Sequence, residues 1–418
     1  MFDDKSNNYT LVKSVVDNNG KYTAIYYAQG VAAGTHMLRF HRTVIGAYSV
    51  ELSASEYYNV GAVDVSSCNA LSSASKTVTA GSIAPTTGDL LWQWVSNGAA
   101  GNGVPTSVTS FTAGSQSGIT WQLNGTDLYD GDAVQAGVFS GSGSINPTVT
   151  SGTSVGFDSC AVALKAATAG NAPSASFRIV HMLHQQHPKS AANPFPVQFP
   201  TSGNLIINSY IGGGDSITTM SSTPSNTWST TGTFVGSETI TAGSQIMYAA
   251  NATSANNMTI SVTRSSNVED GTLMLYDIVG AAASPFDRDS GGQTANQTSE
   301  VTSFTTCSGC LTPSSPNELI IANQGQNFCT ATASPSPSGS LFDAATDTGN
   351  SIDGPQMVDQ NNGWLHYYDP NTNPVTVTWT NICDSPEYEW AGRVAAFKSG
   401  GSISQQPAPP TQLKAVVN

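Results

Sequence analysis

The stretch PTTGDLLWQ (85–93) returns as PTSGNLIIN (200–208) and again as PSSPNELII (313–321). Each copy is a Pro/Ser/Thr turn that runs directly into a short apolar segment, the pattern of a turn followed by a strand. The copies stand 115 and 113 residues apart. That period is too long for a solenoid repeat and suits a small β-sandwich or half of a larger one. A chain organised on it must fold as a series of related β units.

Other landmarks keep the same order four times. A strand ending in a turn appears as TAIYYAQGVAAG (23–34), DAVQAGVFSGSG (132–143), SQIMYAANATSA (244–255) and GWLHYYDPNTN (363–373). An alternating strand follows it as THMLRFHR, NPTVTSGT, NNMTISVT and NPVTVTWT. Each unit closes on an apolar strand: AYSVELSASEYY, SVGFDSCAVALKA, DGTLMLYDIVGA and YEWAGRVAAFKS. Four units therefore share three openings. The first unit is the one without, and its earliest landmark, SNNYTLV (6–12), matches SNTWSTT (225–231).

The fold expected is all-β: two tandem antiparallel β-sandwich domains, units one plus two and units three plus four, with the first unit lacking its opening strands. The boundaries read as 1–168 for the first domain, a small-residue linker at 169–176, 177–399 for the second domain, and a tail at 400–418. Alternation of Met258, Ile260 and Val262 with Thr259, Ser261 and Thr263 predicts a strand with one wet face.

A missing strand would leave unpaired backbone groups and one side of a core uncovered. The tail reads as a disordered terminus, as the start of a further module, as a strand paired within its own chain, or as a filler for that gap in a neighbouring copy. After the linker SGGSISQQPAPP (399–410) comes PTQLKAVVN (410–418), with the Pro-Thr opening, a Leu and a β-branched run. Pro410, Thr411, Leu413, Ala415, Val416 and Val417 are the expected subunit contacts if that strand is donated to a neighbouring copy.

Composition limits the partners. Charged residues make up 10% of the chain, against about 25% in an average soluble protein. The net charge is -14 and the 14 Lys and Arg are scattered, so a nucleic-acid backbone finds no basic surface. No run of about 20 apolar residues exists to span a bilayer. The six cysteines, Cys68, Cys160, Cys307, Cys310, Cys329 and Cys383, suggest disulfides and an oxidising compartment. Proximity of units pairs Cys68 with Cys160 and Cys329 with Cys383, leaving Cys307 and Cys310 as a local bridge. The N-terminal MFDDKSNNYT has neither a basic nor an apolar signal region, so export implies a signal segment that is removed or that lies outside this numbering.

The order NNYTLV, AIYYAQGVAAG, VELSASEYYNVGAVDVSS, GSIAPTTGDLLWQW, CAVALKA resembles secreted bacterial β-sandwich surface proteins of Ig-like or jelly-roll-like type. The resemblance spans 6–166 and, more loosely, 177–398. It implies export and a non-catalytic extracellular role, and it supplies no active-site residues.

Candidate chemistry is thin. His181, His184 and His187 invite a metal, but on a strand His181 and His187 share one face and His184 takes the other. The acidic loops DRDSGG, YDGDA, DDKSNN and DQNNG are explained by turn chemistry, and none has the EF-hand spacing of a calcium loop. Glu51, Glu56, Glu387 and Glu389 could supply a carboxylate pair for glycosidic cleavage, without any spacing that marks one. Trp92 and Trp94 share a strand face, where they form a sugar-stacking platform if wet and core if dry. Sequons stand at Asn8, Asn124, Asn251, Asn257 and Asn296.

The sequence thus predicts no enzyme and no cofactor. It predicts a secreted, cell-surface structural protein forming a homopolymeric filament or matrix by donor-strand complementation. A carbohydrate-binding or adhesive module, with glycans as partners, is the alternative.

Overall fold

The computed structural model describes residues 6–31, 52–97, 107–167, 177–187, 192–336, 342–349 and 360–400 with brief interruptions, together with 2–3 and 38–39. The described residues form β-strands joined by turns and loops, with no helix, and every sheet is antiparallel. Among the described residues no helix is long and apolar enough to cross a membrane.

One strand order occurs three times. In the N-proximal sandwich the large sheet runs Val60–Ala70, Phe157–Ala166, Leu90–Asn97, Asp132–Val138, Gln122–Asp127. Its small sheet runs Ser75–Thr79, Thr148–Val155, Phe111–Thr112. The middle sandwich has Arg178–His187, Gly271–Val279, Leu205–Gly212, Ile240–Ala250, Trp228–Thr230 over Phe195–Thr201, Ala255–Arg264, Ile217–Thr223; Val235–Ser237 also pairs with Ile240–Ala250. The C-proximal sandwich has Ala281–Asp289, Tyr388–Ser399, Glu318–Asn327, Gln360–Asp369, Phe342–Gly349 over Ser303–Leu311, Val375–Cys383, Cys329–Ser336; Gln293–Gln297 extends its first edge.

Numbered along the chain within each sandwich, the large sheet is first, eighth, third, sixth, fifth, and the small sheet is second, seventh, fourth. That is jelly-roll order, with the fifth strand carried on the large sheet. Each repeated PT/PS motif opens a third strand, the central one of its large sheet. This explains why the motif leads into a continuous apolar run: a central strand covered on both faces has no wet side.

The sequence pattern predicts one sandwich from two units. The sheets instead pair within a single unit, because one unit already supplies two apolar faces. Val197, Ile206, Tyr210, Ile260, Val262 and Leu273 fill the middle sandwich from both of its sheets. Met258, Ile260 and Val262 point into that core while Thr259 is exposed and Ser261 and Thr263 are half-buried, the alternation expected.

The opposite faces of the large sheets are also apolar, and this couples sandwiches. Ile207, Ile246 and Tyr276 of the middle sandwich pack on Ile321, Trp364 and Phe397 of the C-proximal one. The result is four layers, small–large–large–small. Hydrogen bonds cross this inner seam. Ser244 Oγ donates to Asn323 Oδ1 at 2.5 Å, Asn323 Nδ2 donates to Ser209 Oγ at 3.0 Å, and Trp364 Nε1 donates to the Ser209 carbonyl at 3.1 Å. Between the N-proximal and middle sandwiches the contact is polar: Gln198 Oε1 accepts from the Phe111 amide at 2.7 Å and Gln185 Nε2 donates to Asp127 Oδ1 at 2.7 Å.

Disulfides join Cys68 to Cys160 and Cys307 to Cys310. Backbone register sets Cys329 opposite Cys383. Two disulfides fit an oxidising, extracellular setting.

Candidate functional site

The N-proximal sandwich offers its large sheet to a hairpin in place of another sandwich. Thr10–Val16 and Tyr22–Tyr27 pair antiparallel. Their turn is closed by Gly20 N donating to the Asp17 carbonyl and Lys21 N donating to Asp17 Oδ1 at 2.8 Å, and Gly20 takes φ 84°, where glycine carries no Cβ penalty. The inner face of the hairpin, Val12, Val15, Ile25 and Tyr27, packs on Leu90, Trp92, Val162 and Leu164. Tyr27 OH donates to the Gly61 carbonyl at 2.5 Å, and Lys21 Nζ donates to Ser96 Oγ at 2.6 Å and to the Asn97 carbonyl. Thr23 Oγ1 reaches Asp158 Oδ2 at 3.4 Å. Burial pushes the Asp158 carboxyl up to about 6, against the pull of Lys21.

The outer face of the hairpin is apolar and wet. Leu11 is 46% exposed, Val16 59%, Tyr22 53% and Tyr26 39%. Its edge is open as well among the described residues. Among the described residues Tyr22–Tyr27 pairs only with Thr10–Val16. The sixth strands of the three sandwiches, Asp132–Val138, Ile240–Ala250 and Gln360–Asp369, are flanked by a fifth strand on one side and a third strand on the other. The hairpin reproduces the fifth–sixth pair and leaves the third-strand side vacant among the described residues.

The other candidates resolve into structure. His181 and His187 turn toward the small sheet, meeting Phe199 and Phe195, while His184 turns the other way onto Trp364. His181 Nδ1 lies 2.8 Å from Asp277 Oδ2. Burial lowers His187 to about 4, and Arg264 adds to the shift. Among the described residues no group of three or more His, Cys, Asp or Glu is placed to hold a metal.

In the acidic loops, Asp287 pairs with Lys398 and Asp289 with Arg393, and Asp132 Oδ1 accepts the Asn97 amide. Glu51 and Glu387 lie outside the described residues, as does the side chain of Glu389, so no glycosidic pair is defined. Trp94 is buried; Trp92 packs beneath the hairpin and donates to Ser55 Oγ at 3.2 Å. Asn124 is buried and donates to Tyr57 OH, which closes that sequon to a glycan. The donor residues Pro410, Thr411, Leu413, Ala415, Val416 and Val417 lie outside the described residues.

No sequence signal announced the wet face of the hairpin. Leu11, Tyr22 and Tyr26 read as ordinary strand residues until their layer is known. No protein-family model, curated protein or solved structure matches this chain.

Proposed function

We propose that the chain is a non-catalytic, exported structural protein, a subunit of a surface filament or matrix whose copies join by strand complementation. It is built as four related units in two domains, with the hairpin as the part of unit one that packs on unit two. The observation that carries this reading is the edge of Tyr22–Tyr27, open among the described residues, beside the exposed Leu11, Val16, Tyr22 and Tyr26. A wet strand edge next to apolar surface is a template for an added strand.

The segment PTQLKAVVN (410–418) has the Pro-Thr opening followed by an apolar run, with Leu413 three residues after its proline where Leu90 and Leu205 stand five and Leu319 six after theirs. With Leu413 in the place of those leucines, Leu413, Ala415 and Val417 would share the face turned to Leu90 and Leu164, and Val416 would take the opposite face. Donation from tail to hairpin is head-to-tail, so it propagates instead of closing.

The test removes residues 406–418. Full-length protein is expected to form elongated polymers in negative-stain micrographs and fast-sedimenting species. The truncated chain is expected to sediment as a monomer and to bind a synthetic 406–418 peptide. A monodisperse full-length chain, or an unchanged polymer after truncation, overturns the proposal.

A further inference from the structure

The openings of two third strands carry the same ionisable triad, and the third opening lacks all of it. In the N-proximal sandwich Val63 faces Leu164 and Val65 faces Ala163, so Asp64 is the extra residue of a bulge in the first strand. Leu90 faces Leu164, which sets Asp89 beside Lys165. In the C-proximal sandwich Phe286 faces Phe397 and Arg288 faces Ala396, so Asp287 is the bulged residue; Leu319 faces Phe397, which sets Glu318 beside Lys398. In the middle sandwich the same register puts Val180 in the bulge, Asn204 before Leu205 and Val279 on the last strand. Three positions on three strands change together, from Asp, acid and Lys to Val, Asn and Val.

The geometry of the two triads matches. Lys165 Nζ lies 3.3 Å from Asp64 Oδ1, and Lys398 Nζ lies 3.0 Å from Asp287 Oδ1. The hydroxyl residue of the PT/PS motif bridges the acids. The Thr86 amide donates to Asp89 Oδ2 at 2.9 Å and its Oγ1 to Asp64 Oδ2 at 3.0 Å; Ser314 Oγ meets Asp287 Oδ1 at 2.8 Å and Glu318 Oε1 at 3.2 Å.

The charged groups facing Asp89 are Asp64 and Lys165. Around Glu318 stand Asp287, Lys398 and Arg288, whose Nε is 3.8 Å from Asp287 Oδ2. In the middle sandwich Asn204 meets the Ala281 backbone instead, accepting its amide at 3.1 Å and donating to its carbonyl at 2.6 Å.

We propose that each triad is a proton-dependent latch that clamps the start of the third strand to the first and last strands of its sandwich. The inner acid carries the proton and donates it to the bulged aspartate, which stays ionised against lysine. Burial, then the neighbouring aspartate, raises Glu318; burial and Asp64 raise Asp89, while hydrogen bonds lower Asp64 and Asp287.

The signs follow from linkage. The raised acid stabilises the closed opening below its ordinary value, 3.8 for Asp89 and 4.5 for Glu318, and loses that as pH rises through the raised value. The lowered aspartates stabilise it above 3.8 and lose that as pH falls through the lowered value. The latch is therefore tightest near the ordinary carboxylate range and looser at neutral pH.

Hydrogen exchange on the full chain tests this with an internal control. Protection factors are compared for peptides covering 85–91, 313–320 and 200–206 between pH 7 and 4.5. The first two are expected to gain protection on acidification, by as much as about tenfold per pH unit in the range where one proton is linked to opening. The opening at Leu205, which has no latch, is expected to show no such gain. D89N and E318Q keep a hydrogen-bonding side chain without a titratable proton and should abolish the gain each at its own opening. A common pH profile at all three openings, or a gain that survives both substitutions, overturns the latch.

Discussion

His366 should make the protein sensitive to mild acid through the seam between the middle and C-proximal large sheets. Its ring is buried edge-on to Tyr276, with centroids 5.5 Å apart, and burial depresses it from 6.5 to about 3. The folded state therefore keeps His366 neutral while the unfolded chain takes up a proton below pH 6.5. Stability falls as pH drops below 6.5, by about 1.4 kcal/mol per unit for one proton.

Between pH 6.5 and 5 this group alone removes about 2 kcal/mol, and by pH 3, where the folded ring begins to protonate as well, about 4 kcal/mol. The latter is a large part of the roughly 5–15 kcal/mol that holds a domain together. Urea unfolding followed by the fluorescence of Trp364, which lies in the same seam, measures it. H366F keeps an aromatic ring and removes the proton, so its loss between pH 7 and 5 should be about 2 kcal/mol smaller than that of the parent chain. Comparing slopes makes the packing cost of the phenyl ring irrelevant. Equal losses in the two proteins would refute the reasoning.

Three further outcomes are expected. Asp158 titrates near 6 in the folded chain, above the ordinary aspartate range, so hairpin docking should be favoured below that range and weaken as pH rises through 6; D158N should flatten the response of Trp92 fluorescence between pH 5 and 7.5. Replacing Cys68 and Cys160 with Ala opens a closure of 92 residues and should cost about 2–4 kcal/mol in chemical denaturation. A Cβ added at Gly392 would sit 2.2 Å from Thr306 Cγ2 and 2.9 Å from the Asn323 carbonyl, so Gly392→Ala should lower stability by about 1–3 kcal/mol by overpacking, read as a drop in Tm.

Properties set along one strand were legible in the sequence. Alternation from Met258 to Thr263 gave a correct face assignment, and so did the split of His184 from His181 and His187, because side-chain direction on a strand follows from period two alone. Properties set between layers were not. Ile206 and Ile207 look alike in the sequence, yet one faces the small sheet of its own sandwich and the other the C-proximal sandwich. For that reason a unit with two apolar sheet faces looks, in sequence, like half a sandwich. The latches were hidden for a related reason: Asp64 and Asp287 meet their lysines through bulges, and a bulge shifts register by one residue without leaving a compositional mark.

The PT/PS motif joins these levels. It marks the start of the strand that lies between the eighth and the sixth in every large sheet. Its hydroxyl residue has the same structural task in two sandwiches, Thr86 and Ser314 bridging paired acids. In the middle one, Thr201 Oγ1 donates instead to Asp277 Oδ1 at 2.9 Å. The third strand holds the two edges of the large sheet together, and a sheet without it splits between its eighth and sixth strands. The hairpin, presenting a sixth-strand edge with nothing described beside it, is where that requirement is unmet within the described chain. A donated strand at this place would complete a sheet whose other instances depend on the same position, which is why the assembly proposal rests on the Tyr22–Tyr27 edge and not on the exposed apolar face alone.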